Sequence, residues 1–538
     1  MILKKVLDWF SENSVFLIIF SLAFALRVYS IDTVPGGFYT DEVISGYEAS
    51  SILQTGRDSN GVFMPLYFKA SGDYREPIHI YSIVPFVALF GNTILSVRLA
   101  TVLFAMISIL FTYLFIKNMF SKNAAIFTAI ILSFMPWHFI QGRFGVHIIV
   151  GIAFLSAGIY FFLRSLKDKK LFPLSMAIFS LSFYTYGTFR FFSFIIPLSL
   201  IFLHRKKFLG SPELKKGIII FLLLILPFVF YYIFNAENAF KRSGDTIIFN
   251  PELLPYEIGY ADYKTFSVVG NSSLYASVFM KNYLTYLSPF RLFFSGDENL
   301  RHMVKGFGEI LLSSLPLILA GLFVISRNFN WTSKFLIFWL LIFSIPGSLT
   351  FDGIPHYPRA INGAILFSII AGLGAEYFFN KSKESRAFLA IFILLALMFL
   401  ADSFLFFNEY FFEYGKYSYM HFETNVGDAI SYANSLGGDN IIVVSNPCCY
   451  YSNYYIAYFS NFPAPEFQKG NYSSLGWTSE KTYGKYLYSN VTRFCERNSS
   501  QPHLLIVKST DQYFNFTIPV KQLYNPDGSK GYAIGTCS

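Results

Sequence analysis

Residues 80–91, IYSIVPFVALFG, decide the topology of this chain. Counted as a full membrane crossing, the stretch would invert everything after it and export every later basic cluster. At about a dozen residues it is short of the roughly 20 that a helix needs to cross hydrocarbon. It is therefore placed on the outer surface as a juxtamembrane or re-entrant helix, and the rest of the chain is read outward from that choice.

The 538 residues are 54% hydrophobic and 20% aromatic but only 14% charged. A soluble chain carries roughly a quarter charged residues, so the deficit indicates a polytopic membrane protein whose spans must be helical. The net charge of +9 comes from short clusters between apolar runs, the pattern of membrane orientation rather than of nucleic-acid binding. The clusters are Lys4/Lys5, Lys117/Lys122, RSLKDKK (164–170), HRKK through LKK (204–216), Arg327/Lys334 and NKSKESR (380–386).

With those clusters in the cytoplasm, about eleven spans fall near 14–30, 97–116, 124–140, 148–163, 172–184, 190–203, 217–234, 309–326, 335–350, 360–379 and 387–407. The first is read as a retained signal anchor, since no small-x-small cleavage site precedes Arg27. The amino terminus lies inside. Residues 1–409 form the membrane domain, with outer loops at 31–96, 235–308 and 351–360, and the carboxyl-terminal segment 410–538 lies outside in the same plasma membrane protein.

That segment has the texture of a small α/β domain. GDAISYANSLGGDNIIVVSN reads as an amphipathic helix, a turn and a buried strand, and HLLIVKST as a second strand. It holds all four cysteines, Cys448, Cys449, Cys495 and Cys537, for which an outer location permits disulfides or free thiols. Sequons at Asn471, Asn490, Asn498 and Asn515, with one more at Asn271, suit the same side.

The loops gather the uncommon charges on one membrane face. PGGFYTDEVISGYEAS (35–50) sets Asp41 beside Glu42 where an apolar helix meets water. The pair has a capping reading, with Asp41 or Thr40 starting the next helix. It also has a chemical one: a partly desolvated carboxylate gains basicity and can take a proton from an acceptor hydroxyl. SGDYREPIHIY places Asp73, Arg75, Glu76 and His79 just before the juxtamembrane helix, which Pro77 opens. Arg75 suits a phosphate at headgroup level, or anionic lipid.

Arg143 with His147, Arg190, and His356 with Arg359 add cations in three further turns. Each also has a snorkelling or helix-end reading; together they would receive a phosphorylated, membrane-embedded substrate. Tyr39, Tyr74 and Tyr357 belong to an interfacial aromatic belt or stack on sugar rings. The chain contains no P-loop or dinucleotide fingerprint, and His and Cys do not occur at metal-site spacing. No cofactor is indicated, and a divalent metal is the one left open.

The ordered motifs carry a resemblance. The Asp-Glu pair after the first span, then GDYREP, then LFGNTILSVRLATVLFA resemble the membrane glycosyltransferases of the GT-C fold. The subgroup is that of dolichyl-phosphate-mannose protein mannosyltransferase and of the aminoarabinose transferase that modifies lipid A. The similarity is clearest over 35–145 and continues through SFYTYGTFRFF and PHYPRAINGAILFSIIAGLG.

What it implies is inverting transfer of a sugar from a polyprenyl-phosphate carrier to a hydroxyl on a lipid, glycan or protein, with no nucleic-acid partner. Asp41 matches the family's proposed base and Glu42 its neighbour. The aminoarabinose branch reads Glu-Lys-Pro where this chain has Arg75-Glu76-Pro77, which gives Arg75 the phosphate and Glu76 the acid or orienting role. His79, Arg143 and Arg190 join Arg75 as phosphate candidates, and His356 and Arg359 match a recurring His-x-x-Arg. Tyr39, Asp73, Tyr74 and Tyr357 would line the substrate. The Trp-Trp-Asp signature of oligosaccharyltransferases is absent, the tail offering only GWTSEKTYG. A non-enzymatic translocator of lipid-linked glycan is the alternative.

Overall fold

The computed structural model describes residues 11–70, 73–235, 244, 246–250, 252, 271–351, 353–436, 441–445, 452–470, 481–489, 491–498, 502–508, 516 and 518–537. The chain divides into two compact units. One comprises Met1–Tyr29, Thr101–Arg143 and His147–Glu409, the other Ser30–Ala100, Phe144–Val146 and Tyr410–Ser538. The second unit thus combines residues 30–100 of the first loop region with the carboxyl-terminal segment.

The first unit is helical. Among the described residues six helical stretches are long and apolar enough to cross a membrane: Ile94–Met119, Ile148–Ser165, Pro212–Phe234, Trp331–Ser348, Asn362–Ser382 and Arg386–His421. Ser14–Val28, Lys122–Phe134, Gly187–Leu203 and Leu312–Arg327 are shorter apolar helices at positions where spans were expected, and Phe172–Ser182 is another. The stretch that decided the topology forms helix Pro77–Phe90, whose 14 residues reach about 21 Å at 1.5 Å per residue. That is less than the hydrocarbon thickness.

Helix Asn362–Ser382 organises the first unit because its glycines admit neighbouring backbones. A Cβ on Gly374 would lie 1.9 Å from the Leu317 carbonyl oxygen, and one on Gly321 1.8 Å from that of Ile370. On another side a Cβ on Gly372 would meet Thr128 Oγ1 at 2.2 Å. Between apolar helices in lipid the hydrophobic effect is weak, so this backbone-close packing of small residues supplies the attraction. By contrast, helix Arg386–Asn408 leaves Leu394, Leu397, Leu400 and Phe404 exposed, a lipid-facing surface.

The second unit contains every named strand. β1 (Phe68–Ala70) and β2 (Asp73–Arg75) form an antiparallel ribbon with Phe68 opposite Arg75. The tail contributes β3 (Ile441–Ser445), β4 (Lys481–Tyr483), β5 (Tyr486–Ser489), β6 (His503–Lys508), β7 (Ile518–Tyr524) and β8 (Lys530–Thr536), in the order β4-β5-β3-β6-β8-β7. β5, β3 and β6 run parallel, and the outer pairs are antiparallel. The two expected strands are β3 and β6, and the expected amphipathic helix is Val426–Ser435.

One core spans the first loop and the tail. Val43, Ile44 and Tyr47 of helix Thr40–Thr55 share a buried cluster with Val444, Tyr454, Tyr458 and Ile506. Gly46 permits the approach, since a Cβ there would lie 2.7 Å from the Tyr458 ring. Cys495 and Cys537 form a disulfide. Cys448, Cys449, Asn471, Asn490 and Asn515 lie outside the described residues, as do the side chains of Asn271 and Asn498.

Candidate active site

Helix Thr40–Thr55 begins at the acidic pair, and its two carboxylates have opposite surroundings. Tyr39 takes the extended N-cap conformation, and its N–H donates to Glu42 Oε2 at 2.9 Å, half of a capping box. Glu42 is fully buried. Its Oε1 also accepts from Arg98 Nε at 2.8 Å and from the Gly145 N–H at 2.9 Å, and its Oε2 from Arg98 Nη2 at 3.1 Å. Four donors fill the acceptor capacity of a carboxylate. A Cβ on Gly145 would stand 2.6 Å from Glu42 Oε1, so only glycine lets that backbone N–H reach it.

Arg98 is equally saturated. Nη1 donates to the carbonyls of Ile31 (2.8 Å) and Pro35 (3.0 Å), and Nη2 to that of Gly37 (2.6 Å). With the two Glu42 bonds, all five donors of a guanidinium are used. This pair fixes the Pro-Gly-Gly turn beneath the helix. Gly37 has φ +100° there, and a Cβ on it would overlap the Phe422 carbonyl oxygen at 2.4 Å. The expectation that Glu42 works on substrate meets a residue fully engaged in holding the turn.

Asp41 turns toward solvent, its side chain 28% exposed, and its Oδ1 accepts from Arg75 Nη2 at 2.7 Å. Arg75 is only 5% exposed, and the β1–β2 ribbon sets its position. Arg75, expected as a phosphate ligand, is thus paired with the Asp41 carboxylate. Glu76 is the N-cap of helix Pro77–Phe90 with Pro77 in the first turn; it and His79 are buried. Tyr74 pairs with Lys69 in the ribbon, and Asp73 stands opposite Ala70. The Tyr39 ring lies 5.6 Å from that of Phe144.

Two turns along the same helix, Glu48 is fully buried. It accepts from Ser59 Oγ at 2.5 Å and the Ser59 N–H at 2.9 Å, with Tyr454 OH at 3.4 Å. Burial pushes its carboxyl up to about 7, against the pull of the Ser59 bonds.

In the first unit the expected cations do different work. Arg143 Nη1 donates to the carbonyls of Leu26 (2.7 Å) and Arg27 (2.8 Å), closing the end of helix Ser14–Val28. Arg190 donates to Tyr232 OH at 2.9 Å, its guanidinium 4.7 Å from the Phe228 ring centre.

His356 is the N-cap of a short helical turn, Tyr357–Ala360, and Arg359 lies within it. His356 Nδ1 stands 3.4 Å from Asp297 Oδ2, which also accepts the Tyr357 N–H at 2.9 Å. Tyr286 OH bridges the His356 backbone, 3.1 Å from both its carbonyl oxygen and its nitrogen. Arg359 Nη1 donates to Thr350 Oγ1 at 2.7 Å. Tyr357, expected to line substrate, is fully buried, its carbonyl accepting from Trp137 Nε1 at 3.1 Å.

Behind His356 lie His302, with its ring centre 5.1 Å away, and Glu309, whose Oε1 accepts the Asp297 N–H at 3.1 Å. Burial holds the His302 imidazole well below and the Glu309 carboxyl well above their ordinary ranges. Arg98, Asp297, His302 and Glu309 escaped the sequence reading. Their signals were an Arg inside an apolar run and the cluster GDENLRHM (296–303) in an otherwise unread loop. Among the described residues no group of three or more His, Cys, Asp or Glu is placed to hold a metal ion.

Residues 75–231 match the sequence profile of the family described as dolichyl-phosphate-mannose-protein mannosyltransferase. No curated protein sequence matches the chain. Among solved structures it is similar to ArnT from Cupriavidus metallidurans in the apo state, with TM-score 0.56 and 11% identity over 97% of this chain and 98% of that one. The same protein bound to undecaprenyl phosphate gives TM-score 0.53 and 11% identity over 98% and 99%. The Archaeoglobus fulgidus oligosaccharyltransferase tethered to an acceptor peptide gives 0.52 and 13% over 98% and 74%. The chain thus shares the fold of these solved membrane glycosyltransferase-type structures, read above as GT-C, and its residues 75–231 carry the profile of the dolichyl-phosphate-mannose-protein mannosyltransferase family.

Proposed function

We propose that the protein moves a sugar from a polyprenyl-phosphate carrier to a hydroxyl acceptor, inverting the anomeric carbon, with Asp41 as general base. The observation that carries this reading is the division of labour in the acidic pair. Glu42 has its acceptor capacity filled by four donors, while Asp41 reaches solvent with Arg75 behind it. A positioned, solvent-reaching carboxylate is what proton removal from an incoming hydroxyl requires.

In the proposed step the acceptor oxygen bonds to the anomeric carbon as the bond from that carbon to the phosphate oxygen breaks. The hydroxyl proton passes to Asp41, and the carrier leaves as polyprenyl phosphate with the electron pair. His356 and Arg359 are assigned to that phosphate, where preset donors lower the cost of the growing charge. Arg75 orients Asp41, Glu42 and Arg98 hold the turn beneath it, and Glu76 and His79 secure the Arg75 segment. A phosphate-bearing lipid donor accords with the undecaprenyl phosphate held by one matched structure. The topology proposed with this reading has about eleven spans, a cytoplasmic amino terminus, and loops 31–96, 235–308 and 351–360 with tail 410–538 outside the plasma membrane.

The test is transfer by the reconstituted chain from a panel of polyprenyl-phosphate sugars. Asp41→Asn should lower kcat by roughly 10²–10⁴-fold, the usual contribution of a general base. A folded variant that transfers sugar at the wild-type rate removes Asp41 from the role. Movement of the lipid across liposomes with no glycoside formed would replace the enzyme with a translocator.

A further inference from the structure

We infer that Asp297 is a positioning residue for His356, turning the imidazole so that its Nε2 edge meets the carrier phosphate. The inference rests on the reading above, in which His356 is a ligand of that phosphate. Three contacts carry it. Asp297 is 3% exposed and stands 3.4 Å from Nδ1 of an imidazole that is 22% exposed. The same carboxylate oxygen accepts the Tyr357 N–H at 2.9 Å, which locks it to the backbone of the turn that bears His356. Tyr286 OH then grips the His356 main chain from the end of helix Asn271–Tyr286, at 3.1 Å to both nitrogen and carbonyl oxygen.

A carboxylate on one ring nitrogen fixes the ring's tautomer and plane and favours its protonated form, so the opposite nitrogen donates outward. Asp297 is itself held in place, its N–H donating to Glu309 Oε1 at 3.1 Å and its Oδ1 accepting the Asn299 N–H at 2.8 Å. The other titratable and charged groups around this cluster include His302, Arg359, Tyr286, Tyr357 and Glu309, with Arg301 beside His302 and Tyr186 beside Tyr286. Burial shifts His302 and Glu309 toward their neutral forms and raises both tyrosines. Among these neighbours Asp297 is the carboxylate that lies against the imidazole. Burial raises its carboxyl, and His302, the two backbone N–H groups and Arg359 oppose that rise.

The experiment titrates the full chain in detergent with undecaprenyl phosphate, without a sugar, from pH 5.5 to about 8.5, the range over which an imidazole titrates. His356→Ala should weaken binding by about 10-fold or more, the scale of one charged hydrogen bond. Asp297→Asn should weaken it by several-fold, add nothing in the His356→Ala background, and move the loss of binding with rising pH to lower pH. Asp297→Glu should restore the wild-type pH profile, and His356→Gln should leave only the pH dependence of the phosphate's own second ionisation.

An Asp297→Asn effect of equal size in both backgrounds, or an unmoved profile, makes Asp297 a merely structural residue and overturns the inference. If Asp297→Asn does not fold, a pH profile in His356→Gln unchanged from wild type overturns it instead. Unchanged binding by His356→Ala overturns it too. Wild-type binding of the lipid with no sugar transfer from any donor would sink the transferase reading alone and leave the positioning role standing.

Discussion

Asp41 with Arg75 and Asp297 with His356 each set an acidic side chain against a basic one, but each shows solvent the opposite member. At the first the acid is 28% exposed and the arginine 5%. At the second the imidazole is 22% exposed and the acid 3%. A buried charge is tolerated only with a partner and further hydrogen bonds, so the inner member is the one the fold has to satisfy. The comparison teaches that the sign presented to solvent is chosen by which partner the backbone encloses. In our reading that choice gives one region a base and the other a phosphate ligand.

The enclosing layer behind each pair is where this comparison can be broken. The largest effect is expected at Glu42, whose replacement by Gln leaves the Arg98 charge buried without its counter-ion. Removing one partner of such a pair costs about 3–5 kcal/mol. Thermal unfolding in detergent, with hydrogen exchange over residues 40–55, should show the loss; a Glu42→Gln protein as stable as wild type would mean that the clamp is not ionic.

Glu48 is expected to follow. Its folded carboxyl lies at about 7, above the 4.5 of an unperturbed one, so the folded state binds the proton more tightly than the unfolded state. Its stabilising contribution is therefore complete below about pH 4.5 and is lost as pH rises through 7, a change of roughly 3 kcal/mol. Exchange-derived opening energies of helix Thr40–Thr55 should fall by that order between these limits in wild type and stay level in Glu48→Gln. Equal slopes in both proteins would place the pH dependence elsewhere.

The smallest effect sharpens the contrast from the other side. Glu309 is buried like Glu42, yet among the described residues no cation is bonded to it, and burial holds its carboxyl well above the ordinary range. That shift favours its neutral form, and an amide keeps the oxygen that accepts the Asp297 N–H. Glu309→Gln should therefore change stability by about 1 kcal/mol or less. A loss approaching that of Glu42→Gln would show that Glu309 is ionised after all.

Much of the first region was legible because its signals are local. Asp41 and Glu42 are adjacent, and Arg75, Glu76 and Pro77 announce a helix start within a few residues. Their division into an outward base candidate and an inward clamp was not legible, because it depends on Arg98 from a later helix and on the N–H of Gly145. Arg98 looked like one charge in an apolar run. In the second region His356 and Arg359 stood out by spacing, whereas Asp297 precedes His356 by 59 residues and only folding sets its carboxylate against the imidazole.

The amino-acid sequence by itself determined the membrane character, the helical segments, the strands at 441–445 and 503–508, and the position of the acidic pair. All of these follow from hydrophobic period and charge over short windows. Only the tertiary structure decided that the loop after the first helix shares a core with the tail, and that Glu42 closes on Arg98. It alone decided which member of each ion pair faces solvent. Those outcomes depend on burial and on donors brought from distant segments, and a hydrogen bond between residues far apart in the chain leaves no periodic trace in either stretch of sequence.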